Sequence, residues 1–263
     1  MHKGRTRIIS VVNEKGGVGK TVTVVNVAAG LSVKGKTVLV VDVDPQLSAT
    51  KGLGYDSSGN GATVYDVIKP TKPVAAEAAI VPTAWKGLDL LPSHVDLSGI
   101  EIELATKIGR ENRLKRALKP VVDEYDFVLL DTPPSLSLLT VNVLAFAEEA
   151  LIPCQTHPYA YAAIDDLLET IAVINEEINP RLDISGVVAT FFDRRTRVSH
   201  QIMEKLEQDT RIKDKLYNTV IRINTTIAES AQHKKPVVFF RPASTGAQDY
   251  LALTEEILAR STA

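Results

Sequence analysis

Cysteine is almost missing from this chain. One residue in 263, Cys154, excludes an internal disulfide framework and any all-cysteine metal cage built by a single chain. It falls in the apolar run Leu151-Ile152-Pro153-Cys154, which reads as a buried strand and not as the setting of a reactive thiol. Long apolar runs are missing too: nothing approaches the roughly 20 residues of a membrane-spanning helix. No signal peptide is expected, because His2-Lys3-Gly4-Arg5 leads straight into a strand. A dominant charge is also absent, since 30 Lys and Arg stand against 32 Asp and Glu. Any binding to nucleic acid must therefore come from a local patch and not from the overall field. What is left, 44% hydrophobic and 24% charged residues, suits an ordinary globular cytoplasmic protein with a large core.

What is present is organised around Asn13-Glu14-Lys15-Gly16-Gly17-Val18-Gly19-Lys20-Thr21. The apolar run Ile8 to Val12 before it reads as a buried parallel strand. Thr21 to Lys34 after it reads as a helix, with Val24, Val25, Val27, Ala28 and Leu31 turned inward. A glycine-rich turn between strand and helix lets a phosphate chain approach the backbone, and the helix N-terminus adds partial positive charge. Lys20 would reach the β- and γ-phosphates, and the Thr21 hydroxyl would ligate Mg²⁺. The general phosphate-loop pattern puts a glycine at position 14, where this chain has Glu14; instead Lys15 precedes two glycines.

Two further strands end in carboxylates. Thr37 to Asp42 runs into Val43-Asp44-Pro45-Gln46, and ligands of open α/β sheets bind at the carboxyl ends of strands. Strand alternation puts Asp42 and Asp44 on one side. Tyr125 to Leu130 ends in Asp131, followed by Thr132-Pro133-Pro134-Ser135. A carboxylate there can hold a magnesium-bound water. Further strands are expected at 88–92, 150–156, 183–191 and 216–221. Helices are expected at 63–68, from 99 to 104, and at 111–123, 159–178, 225–233 and 246–260, with an exposed loop at 52–61. Strands alternating with helices imply one doubly wound domain over residues 1–263, a mostly parallel sheet with helices on both faces.

These motifs resemble the deviant Walker A ATPases, and within them the ParA/Soj/MinD group. The resemblance covers essentially the whole chain; it is strongest at 13–46 and 127–135 and weaker from about 190 to 245. It implies ATP and Mg²⁺ as cofactors and a nucleotide-sandwich homodimer in which Lys15 reaches the partner's phosphates. ATP would be held by Lys15, Gly16, Gly17, Val18, Gly19, Lys20, Thr21 and Val22, with Arg222 and Asn224 near the base. Asp44 would position the attacking water, alongside Lys15 and Lys20 in catalysis. Thr21, Asp42 and Asp131 would serve the metal, the aspartates through water. Three departures stand out. Leu47-Ser48 replaces the family's Gly-Asn, Val22 replaces a threonine, and Thr226 replaces an arginine.

The implied activity is that of an ATP-driven switch that binds DNA without sequence preference and segregates chromosomes or plasmids, or positions a cargo. A ParB-like protein or a cargo adaptor would stimulate its slow hydrolysis, on the nucleoid and away from the membrane. A relative that spaces a protein assembly would carry the same motifs. A membrane-cycling relative of the MinD type would need a basic amphipathic terminal helix, whereas Leu253 to Arg260 is short and acidic. An iron-protein relative would need two cysteines per subunit. A first strand near residue 7 leaves no room for a preceding helix-turn-helix. DNA contacts are expected from residues 181–241, where twelve Lys and Arg face seven acids. The residues proposed are Arg194, Arg195, Arg197, Arg222, Lys234 and Lys235, with Arg195 matching a family arginine that contacts phosphates.

Overall fold

The computed structural model describes residues 5–56, 59 and 61–260. Seven strands form one sheet: β1 (Arg7–Val11), β2 (Val38–Asp42), β3 (Val81–Pro82), β4 (Leu88–Leu91), β5 (Phe127–Asp131), β6 (Glu149–Gln155) and β7 (Asp183–Thr190). Their order is β3-β4-β2-β5-β1-β6-β7. Every pair is parallel except the short edge pair of β3 with β4. From β1 the chain crosses to β2 on one side, and later passes from β5 to β6 on the other. The direction of winding thus reverses at β1, and a ligand crevice opens where it does so.

Helices fill both faces: α1 (Lys20–Val33), α2 (Ser48–Gly52), α3 (Val64–Ile68), α4 (Ile100–Leu104), α5 (Arg113–Leu118), α6 (Leu138–Phe146), α7 (Pro158–Ala162), α8 (Ile164–Glu177), α9 (Arg197–Gln208), α10 (Thr225–Gln232), α11 (Val237–Phe240) and α12 (Thr245–Ala259). Side chains alternate across each strand, so both faces of the sheet are apolar. Ile9, Val11, Val40 and Leu129 pack with Leu31 of α1 and with Tyr250 and Leu253 of α12. Ile8, Leu39, Val128 and Leu130 pack on the other face with Val143 of α6, Leu167 of α8 and Ile202 of α9. Gly30 marks how closely α1 and α12 approach: a Cβ there would lie 2.3 Å from the Thr254 hydroxyl.

The main expected elements are present, with several corrections. The segment 216–221 is not a strand; among the described residues it makes one isolated bridge, Leu216 with Val187, and Arg222 just beyond it makes another with Phe192. Its Asn218 and Thr219 N–H groups donate to the Glu256 carboxylate on α12 at 2.9 and 2.7 Å, so no continuous ladder can form. The helix at 159–178 is two, α7 with Pro158 at its start and α8 after Ala163. The helix at 111–123 is helical only over α5, between tight turns at Arg110–Asn112 and Val122–Glu124. Gly52 of the expected loop ends α2; residues 57, 58 and 60, like the 1–4 lead-in, lie outside the described residues. Helices α2, α6, α9 and α11 and the short strand β3 come from the structure alone. The α6 segment is apolar on nearly every side, which hides its period. For α9 the signal was there, with Ser199, Ile202 and Leu206 buried at helical spacing.

Candidate functional site

The loop after β1 is held from both sides. The Asn13 side chain donates to the Pro153 carbonyl at 2.9 Å and accepts from the Lys15 N–H at 2.9 Å. Glu14, standing where the general pattern has glycine, accepts from the Thr170 hydroxyl of α8 at 3.3 Å. Thr190, the last residue of β7, donates to the Val18 carbonyl at 2.8 Å. Gly17 and Gly19 take φ values of +78° and +95°, a region costly for any side chain. Gly19 begins α1 with no side chain over its first amides, so those donors are free to meet an anion.

Lys20 is buried, and its ammonium donates to the Lys15 carbonyl at 3.1 Å. Burial pulls its pKa below the usual lysine value, while Asp131 and then Asp44 push it back up. Asp131 is fully buried at the end of β5, and neither carboxylate oxygen accepts a well-formed hydrogen bond, although the Thr21 hydroxyl lies close enough to favour the charged form. Burial raises its pKa well above the ordinary carboxyl value; Asp42 and Asp44 add to the shift, and Thr21 and Lys20 oppose it. Asp42 lies opposite it in register on β2. A buried acceptor without a donor is rare and calls for a cause.

Asp42 is placed differently. One oxygen accepts from the Thr50 N–H and hydroxyl, both at 2.7 Å, and the other from the Asp44 N–H at 3.1 Å. Burial pushes its carboxyl up to about 6 against those bonds. The Thr50 hydroxyl in turn accepts from the Ser93 N–H at 3.0 Å, and the Ser93 hydroxyl donates to the Asp44 carbonyl at 2.7 Å. Asp42 thus anchors the loop that carries Asp44, and Asp44 itself caps the Gln46 N–H at 2.9 Å. Leu47 takes the left-handed conformation, φ 59°, which glycine adopts without strain. That geometry costs roughly 1–2 kcal/mol for a residue with a Cβ, partly offset because the Leu47 side chain is buried.

Gly16, Gly17, Lys20, Thr21, Asp44 and Pro134 border an open cleft of about 350 Å³. It adjoins an apolar pocket of about 360 Å³ lined by Val22, Ile221, Ile223, Ile227 and Tyr250, with Arg222 and Asn224 also at its wall. Gly19, Val22 and Phe191 border both. Phe191, half exposed at φ 52°, stands between the two spaces, and motif reading did not single it out. The Arg222 guanidinium is taken by Asp249, with Nε at 3.0 and 3.1 Å from its oxygens, so it is not a free cation. Asn224 caps α10 by accepting from the Thr226 N–H at 2.8 Å. Lys15 does not border its own cleft; its ammonium lies 5.3 Å above the Tyr159 ring.

The proposed DNA residues fall on separate elements. Arg194, Arg195 and Arg197 are exposed beyond β7, and Arg195 pairs with Asp193 at 2.9 Å, holding that carboxyl down at about 2. Lys234 and Lys235 are exposed in the turn after α10, beside Trp85 and Tyr55.

A glycine-rich loop between parallel strand and helix, with a buried lysine and a strand-end aspartate, defines a P-loop nucleoside-triphosphatase. The family described as AAA domain matches residues 6–184. The chain is 42% identical over 253 residues to the sporulation initiation inhibitor protein Soj of Bacillus subtilis, covering 96% of this chain and 98% of that one. It is 37% identical over 256 residues to the chromosome partitioning protein ParA of Myxococcus xanthus, covering 97% and 89%. The solved structure of cobyrinic acid a,c-diamide synthase from Mycobacterium smegmatis, with bound ATP analog and magnesium, matches with a TM-score of 0.85 at 32% identity, covering 98% and 97%. The chain belongs to the ParA/Soj family of ATPases, whose cofactors are ATP and magnesium.

Proposed function

We propose that residues 1–263 form one ATPase domain that dimerises face to face around two ATP molecules, binds DNA without sequence preference and releases it on hydrolysis. In this way it would segregate chromosome or plasmid DNA or carry another cargo along the nucleoid. The observation that carries the reading is the division of labour between the two lysines. Lys20 serves its own cleft from a buried position, whereas Lys15 stands outside that cleft. A cation beside the loop that does not serve its own phosphates suits delivery to a partner's.

On this reading the loop amides and Lys20 hold the phosphates, and the base enters the apolar pocket near Arg222 and Asn224. Asp44 orients a water in line with the γ-phosphate, which is positioning catalysis with little covalent work for the protein. The unpartnered Asp131 carboxylate and the Thr21 hydroxyl fit a magnesium site that keeps several waters and takes its other oxygens from phosphates. Magnesium, when bound, offsets the charge of the phosphates. Asp42, which accepts from Thr50 and Asp44 and so anchors the loop, would serve the metal through a water. Hydrolysis is expected to be slow and raised by a ParB-like protein or another adaptor.

A membrane-cycling role has less support. The apolar side of α12, with Ala247, Tyr250, Leu253 and Ile257, is buried in the core, so it is not free to lie on a bilayer. The test compares Lys20→Ala with Lys15→Ala. Calorimetry should show Lys20→Ala losing ATP affinity by at least about tenfold, since charge-assisted bonds contribute roughly 1.5–3 kcal/mol each. Lys15→Ala should still bind ATP yet fail to dimerise in sedimentation velocity. If both variants bind and dimerise alike, the two-lysine reading is wrong.

A further inference from the structure

The near-neutral total hides a second concentration of positive charge, on the opposite side of the sheet from α1. Residues 105–121 hold six cations, Lys107, Arg110, Arg113, Lys115, Arg116 and Lys119, against a single carboxylate, Glu111. Helix α5 arranges them. Leu114 and Leu118 are buried, so helical spacing brings Lys115, Arg116 and Lys119 out on the other side, and all three are exposed. The backing is firm. The Leu114 N–H donates to the Asn142 side chain of α6 at 3.2 Å, and the same amide donates to the Arg110 carbonyl at 2.9 Å.

Pairing sets this strip apart from the basic segment 181–241. There Arg181, Arg195, Arg211, Lys215, Arg222 and Arg241, half of the segment's twelve cations, each sit within ion-pair distance of a carboxylate. Among the described residues, Arg113, Lys115, Arg116 and Lys119 have no such partner. The Arg113 Nε is buried with no hydrogen-bond partner at all. Arg113 and Arg116 line a cleft of about 400 Å³ with Val67, Pro73, Val74 and Pro120, and Glu77 also borders it without forming an ion pair with either arginine. A paired guanidinium must surrender its carboxylate before it gains a phosphate, so the exchange yields little. An unpaired cation meets the phosphate directly and releases the counterion condensed on the duplex.

We infer that the α5 strip is a second phosphate-contacting surface for duplex DNA. The inference rests on the DNA-binding reading above and adds to it the residues that make the contact. It places the contact on cations that are not engaged by a carboxylate, as Arg222 is by Asp249.

The test is fluorescence anisotropy of a labelled duplex of about 60 base pairs, titrated with the ATP-loaded protein between about 50 and 200 mM salt. Wild type is compared with Lys115→Gln/Arg116→Gln/Lys119→Gln, with the milder Lys115→Gln/Lys119→Gln, and with a control, Lys36→Gln/Lys86→Gln, that removes charge elsewhere. If each subunit of the dimer loses two phosphate contacts, the log–log salt slope should become shallower by about 3.6, at roughly 0.9 per contact. Affinity near 100 mM salt should fall by at least about tenfold, and the milder variant should give part of both effects. The control should change affinity by less than about twofold. Strip variants that melt like wild type and bind DNA with unchanged affinity and slope would overturn the inference alone, leaving a solvated face or a surface for an acidic protein. Wild-type protein that binds no DNA with ATP would overturn the DNA reading and the inference with it. A control that falls as far as the strip variants would reduce the effect to net charge and overturn the inference as well.

Discussion

Replacing Asp131 with asparagine should make the nucleotide-free protein more stable and its response to nucleotide weaker. The side chain is fully buried at the end of β5, neither oxygen has a well-formed hydrogen bond, and Asp42 faces it across the β2–β5 pair, with Thr21 and Lys20 only partly compensating. Such a group is costly without its ligand. Either a desolvated charge stands near another carboxylate, or a proton must be taken up to remove it. Asparagine keeps a polar group there but removes the desolvated charge, so Asp131→Asn should gain stability of about 1–3 kcal/mol. The wild type should gain about 2.7 kcal/mol from MgATP supplied at a hundredfold its Kd. The variant, lacking the carboxylate that suits the metal, should gain less than about half of that. Urea unfolding followed by circular dichroism, with and without MgATP, measures both numbers on one instrument. A variant that is less stable without nucleotide would show that Asp131 has a structural partner after all. A variant with the full nucleotide increment would remove it from the metal site. Either result refutes the assignment of Asp131 to the metal.

Asp44→Ala should leave ATP affinity within about threefold of wild type while slowing turnover by at least about a hundredfold, the scale on which lost positioning is felt. Single-turnover hydrolysis together with sedimentation velocity checks this, since the variant should persist as an ATP dimer; normal turnover would move the role to another residue. Cys154 should be silent to a thiol reagent at pH 8 in the folded protein and should give one thiol per chain in denaturant, because burial pushes its pKa up to about 12. The sign of the pH effect follows from the same shift. The folded thiol keeps its proton to about 12 and an unfolded one loses it near 9.0, so this group's contribution to stability falls as pH rises above 9. Rapid native labelling at pH 8 would contradict its burial.

Much of the nucleotide site is legible in the residues alone, for a local reason. The loop from Asn13 to Thr21 needs glycine at Gly17 and Gly19 because those positions have positive φ, and a lysine at Lys20 because phosphates need a cation. Requirements of that kind lie within nine consecutive residues and leave a pattern. The strand ends at Asp42 and Asp131 are readable for a similar reason, since an apolar run that stops at a carboxylate marks the edge of the sheet. The alternation of strands and helices likewise specified the doubly wound class. Tertiary structure decided what depends on distant partners. That Asp42 is spent on Thr50 and the loop, while Asp131 is left without a donor, follows from which backbone amides β2 and β5 bring near. That 216–221 runs beside β7 without becoming a strand depends on Glu256, which competes for its N–H groups from α12. That Arg222 is bound to Asp249 while the cations of α5 are unpaired cannot be counted from composition, because a charge's availability depends on the carboxylate that folding places beside it.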